Sequence, residues 1–286
     1  SDVCSSDLMA RLQSLVGMIF MVVPMIAPSL GQFVLLFAGW RWIFGVIALQ
    51  CLIVAIWVAL RLPETMAADN RQKIDPRTIA ANMRHGLTNR SSIGYVLGVG
   101  CTMGVGWGYV QCSQQIIAEH FGAGKAFPLL FGGMALAMAT SNLINSRIVE
   151  RFGARRVSHT ALFIYLAVSA TQVWLAHSPY ESLWTFVPLL TMNLMLSGFL
   201  GANFGSIALQ PFARIAGAAS SVQGFVRLIL ASIVGAIVGQ SYDQSARPLA
   251  HAFLIAGVTA LALVLYSEKG RLFRRLNPPG SPRPVA

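Results

Sequence analysis

Residues 43–60 read IFGVIALQCLIVAIWVAL, eighteen consecutive positions without a charge, closed by Arg41 on one side and Arg61 on the other. The hydrocarbon core of a bilayer is about 30 Å thick, and a helix rising about 1.5 Å per residue crosses it in about 20 residues. Backbone N–H and C=O groups find no partner in lipid, so such a stretch must satisfy them internally as a helix. Working outward in both directions, the same reading predicts eight spans, at 13–37, 43–60, 92–117, 127–146, 158–176, 183–208, 217–240 and 249–267. Period-two alternation, which a membrane barrel requires, is absent from them. The span at 92–117 has the least certain boundary, because Gly94, Gly98, Gly100, Gly104, Gly106 and Gly108 lower its helix propensity.

Composition agrees. Of 286 residues, 55% are hydrophobic and 11% charged, and the mean hydropathy is +0.63. Soluble domains carry about 25% charged residues, so a water-soluble globule, a disordered chain, a disulfide scaffold and a coiled coil are all excluded. The net charge of +11 would point to nucleic acid in a soluble protein. Here the basic residues sit between apolar runs, so the partner is the lipid bilayer and not nucleic acid. Cys4, Cys51, Cys101 and Cys112 show no metal or redox spacing and read as small apolar side chains.

Eight spans put both ends of the chain on one side. With those ends in the cytoplasm, seventeen of the 21 basic residues lie inside, Arg41, Lys125 and Arg247 lie outside, and Arg227 falls within a span. That asymmetry orients the protein. Residues 1–8, SDVCSSDL, read as a non-native junction and stand outside the argument. Residues 9–62 hold two spans, 63–91 form a cytoplasmic linker with a surface helix expected around Arg77–Leu87, 92–267 hold six spans, and 268–286 form a cytoplasmic tail whose PPGSPRPVA ending should be disordered. Six helices complete a bundle and two do not, so the chain is expected to be the later part of a longer protein.

Three local patterns carry a family resemblance. VVPMIAPSLGQ, Val22–Gln32, resembles the fifth-helix signature of drug/H+ antiporters in the major facilitator superfamily: Pro24, Pro28 and Gly31 fit, while Ala27 and Gln32 replace glycines. GWRWIF, Gly39–Phe44, follows at the expected distance. Two prolines four apart remove two helix hydrogen bonds and bend the span. NSRIVERFGARR, Asn145–Arg156, resembles the second copy of the family's gating-loop motif, with Glu150 where Asp is usual, Arg151, Gly153, Arg155 and Arg156 aligned, and Ser146 replacing the first Gly. AEHFGAGKAFPLLF (Ala118–Phe131) and ALQPFARIAGAASS (Ala208–Ser221) resemble connections of the Bcr/CflA-type drug-resistance subgroup. The resemblance implies an all-α membrane protein, a major facilitator fold fragment whose eight helices correspond to the fifth to twelfth of twelve. It also implies alternating access, a small-molecule substrate, protons as coupling ion and a bacterial inner-membrane location.

Substrate in such transporters binds near mid-membrane between two bundles, so polar groups inside spans are the candidates. Arg227, about 15 Å into its span, either faces a watery path or an anionic substrate, or snorkels to the cytoplasm. Trp107, Tyr109 and Gln111 either line an adaptable pocket or form an interfacial belt and interhelical amide bonds. Asn142, Asn193 and Asn203 are candidates for the path or for interhelical bonding, Asn203 first among them by resemblance. The ladders Gly100/Gly104/Gly108, Gly201/Gly205 and Gly235/Gly239 predict close helix packing. Proton coupling in the family usually depends on a membrane-embedded carboxylate, commonly in the N-terminal half, whose first four helices this chain is expected to lack, and none of its ten acidic residues sits mid-span. The chain by itself is therefore expected not to be a competent antiporter.

No cofactor, metal cluster or phosphate loop is indicated, and the chemistry is not enzymatic. Two rival readings remain: a facilitator or symporter for a sugar, nucleoside or organic anion, and a non-transporting membrane scaffold.

Overall fold

Among the described residues, the chain is helical wherever the sequence stays apolar. The computed structural model describes residues 34, 37–61, 84 and 88–273, and seven helices among them are long and apolar enough to cross a membrane. They are α1 (Arg41–Arg61), α2 (Arg90–Gln115), α3 (Phe127–Phe152), α4 (Ala154–Ala176), α5 (Leu183–Leu209), α6 (Ala216–Gln240) and α7 (Arg247–Ser267). Each coincides with one of the predicted spans. All but residues 34 and 37 of the span at 13–37, residues 1–8, all but residue 84 of the helix expected around Arg77–Leu87, most of the linker, and the tail beyond 273 lie outside the described residues, as do Pro24, Pro28 and Gly31.

The chain divides into two units, Ser1–Ile74 and Asp75–Ala286. In the first, α1 is a helix with no buried residue. Its entry is marked by Trp40, whose ring meets Phe44 edge-on at 6.0 Å and carries the Arg41 guanidinium at 5.0 Å.

In the second unit the glycine-rich α2 is continuous from Arg90 to Gln115 and runs on through a π-helical turn, Ile116–His120. The glycines cost helix propensity, and close packing answers it. Gly100, Gly104 and Gly108 lie against Leu230, Val234 and Val238, one ridge of α6; a Cβ on Gly104 would stand 3.0 Å from the Ala231 carbonyl. In return Gly235 and Gly239 of α6 take Trp107 and Gln111. On another side of α2 the Gly94 N–H donates to Ser267 Oγ of α7 at 3.1 Å, and Gly98 receives the ring of Phe204 from α5. Thus α2 packs on α5, α6 and α7 at once. α4 fills the space beside α5 and α7, and α3 leans on α5.

The ends of these helices alternate, so two ends of the bundle are defined. One gathers Arg90, Arg147, Arg151, Arg155 and Arg156 and is called the basic end here. Asn89 caps α2 by accepting from the Ser91 N–H at 3.0 Å. Gly153 alone separates α3 from α4 and sits at φ +82°, a conformation that a side chain strains. At the opposite end, Ser182 and Thr185 form a reciprocal capping box at the start of α5. Tyr95, Tyr165, Leu190, Leu200, Phe204 and Phe253 form the sealed centre.

Candidate functional site

Among the described residues of the second unit, none covers one face of α5. Gly198, Gly201 and Gly205, spaced three and four apart, lie on it. At Gly201 the expected close packing is not seen, since a Cβ there would meet no described residue within 4 Å, whereas Gly205 takes the Arg227 side chain of α6. The face is instead a shallow floor of small residues. α3 supplies one flank, where the Asn142 amide lies against Gly198, its Oδ1 3.4 Å from a Cβ placed there. α6 supplies the other, where Arg227 Nη1 stands 3.2 Å from a Cβ on Gly205.

Gly198 and Gly205 are seven residues apart, about 10 Å along α5, so an amide and a guanidinium bracket a floor of about that length. Asn142 donates one N–H to the Met138 carbonyl at 3.2 Å, which leaves its other donor and its oxygen available. Arg227 is half-buried and makes no hydrogen bond or ion pair with any described residue. Its guanidinium turns back one helical turn, Nη2 lying 3.9 Å from a Cβ on Gly224. The charge therefore sits level with Gly205, four residues and about 6 Å from the end of α5. That is nearer the basic end than the Arg227 position in the sequence suggests, because helical side chains lean towards the helix start.

The other candidates separate from this recess. Trp107 and Gln111 are exposed on α2, and both back onto Gly235, with Gln111 also against Gly239. Gly235 lies eight residues beyond Arg227, about 12 Å further along α6. Tyr109 points the other way: it is buried, its hydroxyl donates to Met134 Sδ at 3.4 Å, and its ring stacks on Phe131 at 6.3 Å. Asn193 is fully buried, donates to Gln172 Oε1 at 2.7 Å and accepts from Ser169 Oγ at 3.1 Å, tying α5 to α4. Asn203 is buried and donates to Asn145 Oδ1 at 2.8 Å, tying α5 to α3.

One loop-motif residue, Arg155, joins a polar cluster at the basic end. Arg155 Nε donates to Glu268 Oε1 at 2.8 Å and Nη1 to Gln210 Oε1 at 2.9 Å. The Phe273 N–H donates to His159 Nδ1 at 3.0 Å, so Nε2 carries the ring proton and donates to the Tyr95 oxygen at 3.1 Å. Tyr95 in turn donates to Glu268 Oε1 at 2.7 Å. Burial opposes ionisation of Glu268, but hydrogen bonds from Arg155 and Tyr95 and the Arg155 charge outweigh it, holding the carboxyl below its ordinary range. Arg151 lies over the Phe152 ring at 5.5 Å, Arg156 is exposed, and the Glu150 side chain is not among those described. Sequence reading missed Glu268, Tyr95 and His159. Glu268 carried one available signal, its position as the first residue past the last apolar span.

A second buried node ties three helices at the same end. Ser92 Oγ donates to the Ala208 carbonyl at 2.8 Å, and Gln223 Nε2 donates to Ser92 Oγ at 2.9 Å and to the same carbonyl at 3.1 Å.

Comparison with known proteins adds one family match and three relatives. The profile described as Major Facilitator Superfamily matches residues 1–239. The chain is 29% identical over 269 residues to the uncharacterized MFS-type transporter YdgK of Bacillus subtilis, covering 91% of this chain and 65% of that protein. It is 25% identical over 268 residues to the bicyclomycin resistance protein homolog of Haemophilus influenzae, covering 93% and 66%, and 27% identical over 273 residues to the multidrug resistance protein MdtL of Escherichia coli, covering 92% and 65%. It thus spans just under two thirds of the length of each.

Proposed function

Given that this chain belongs to the major facilitator superfamily, we propose that it acts within a secondary transporter that expels drugs or other small molecules across a bacterial inner membrane in exchange for protons. Two helix bundles rock about a central path, exposing it to each side in turn, with both ends of this chain in the cytoplasm. The names of the Haemophilus and Escherichia relatives, which refer to bicyclomycin and multidrug resistance, support the class of cargo. The glycine-floored recess on α5 supplies part of the path, Asn142 offering an amide and Arg227 a cation.

The observation that carries this reading is the Arg227 guanidinium, which no described residue pairs, beside an α5 face that no described residue covers. A cation inside a span without a protein partner is costly unless water or cargo reaches it. In a host lacking its own exporters and expressing the longer transporter within which this chain acts, Arg227→Ala should raise drug sensitivity at unchanged membrane abundance. Resistance equal to that of the unaltered protein would overturn the assignment of the recess.

The same guanidinium favours a second reading, transport of an organic anion. Vesicle uptake of anionic and cationic dyes separates the two: loss of anionic transport alone in Arg227→Ala supports the second.

A further inference from the structure

We propose that the wedge between α3 and α4 at the basic end binds an anionic phospholipid, one acyl chain in the wedge and its phosphate on Arg156. α3 and α4 are joined by Gly153 alone and splay from each other, since α3 leans on α5 rather than on α4. The space left is a groove of about 500 Å³. Ile148 and Phe152 of α3 form one wall, Val157 and Ile164 of α4 the other, and Leu196 and Phe199 of α5 the floor. Phe273 closes one end: its N–H is held by His159 Nδ1 and its ring stacks on Phe163 at 6.1 Å.

The lining is hydrocarbon except for Thr160 and one charged residue, Arg156. Arg156 is exposed and makes no hydrogen bond or ion pair with a described residue, unlike its neighbour Arg155, which is held by Glu268 and Gln210. Arg151, over the Phe152 ring, adds a second cation at the same end. An apolar slot running about 12 Å from Arg156 to Ile164, with positive charge at its head that no described residue pairs, complements an amphiphile with a hydrocarbon tail and an anionic head. Thr160 and Ile164 are exposed, so the slot opens along the flank of the bundle, where lipid tails lie. The inference stands whatever the protein transports.

The test uses the purified full chain, delipidated in a zwitterionic detergent and titrated separately with dioleoyl phosphatidylglycerol, dioleoyl phosphatidylcholine and inorganic phosphate. Retained lipid is read by native mass spectrometry and stability by the thermal midpoint. Phosphatidylglycerol should be retained and should raise the midpoint, and neither phosphatidylcholine nor phosphate should do so. Arg156→Gln should weaken phosphatidylglycerol binding about fivefold, and Ile164→Trp, which fills the slot, should weaken it as well. Equal retention of the two lipids, an equal midpoint shift from phosphate alone, or wild-type affinity in either variant would overturn the proposal.

Discussion

Arg155 and Glu268, 113 residues apart in sequence, meet with Nε 2.8 Å from Oε1 and close the basic end of the bundle. Their side chains are only 13% and 12% exposed, so the pair is shielded from the screening that makes surface ion pairs weak. Through Tyr95, His159 and Gln210 the contact joins α2, α4, the turn after α5 and the residue after α7.

This contact predicts a pH response. A carboxylate held below its ordinary range contributes stability in full above the unfolded glutamate value of about 4.3, and loses it as pH falls through the lower folded value. The thermal midpoint of the protein should fall as acidification passes below about pH 4.3. Glu268→Gln should flatten that limb and cost about 1–3 kcal/mol at neutral pH. Parallel acid limbs for the two proteins would contradict the assignment.

The α2–α6 seam predicts opposite effects at two glycines two residues apart. Gly104→Leu drives a side chain into Val234 and the Ala231 carbonyl and should cost at least about 1–3 kcal/mol, as overpacking does. Gly106→Ala places its methyl where no atom lies within 4 Å and should stabilise by about 0.5–1 kcal/mol through helix propensity. Thermal midpoints in detergent decide between these signs.

Asn203 and Asn145 should behave as a coupled pair. The 2.8 Å amide bond between α5 and α3 is of a kind worth about 0.6 kcal/mol on average in membrane helices, and up to about 1.7. A double-mutant cycle with Asn203→Ala and Asn145→Ala should return a coupling of that size. Strict additivity would show that the bond contributes nothing.

Gly205 should act on transport through Arg227. A side chain at Gly205 crowds Nη1, so Gly205→Val should reproduce the drug sensitivity of Arg227→Ala. Gly133→Val, the same substitution on α3 where a Cβ meets no described residue within 4 Å, should leave resistance intact. The half-inhibitory drug concentration is the readout.

Much of the fold was legible because lipid imposes a one-dimensional rule. An uncharged run of sufficient length has to be a helix, so Ile43–Leu60 and the six later spans appear where hydropathy puts them. The glycines of α2 were equally readable as a packing ladder, since small residues four apart share a face. The recess was only partly visible. Arg227 stands out in any span, but Gly201 and Gly205 carry the same spacing as Gly104 and Gly108, and the sequence holds no mark of which ladder has a neighbour.

The order of apolar and basic segments by itself determined the medium, the helices and their approximate ends, since desolvating backbone and charge is a local cost that each segment meets alone. Only the tertiary structure decided which faces those helices share. It sealed Asn193 and Asn203 between neighbours, left Asn142 and Arg227 flanking an open floor, and gave Arg155 its partner in Glu268. Such contacts depend on distances between residues far apart in the chain, and these are set by how whole helices pack.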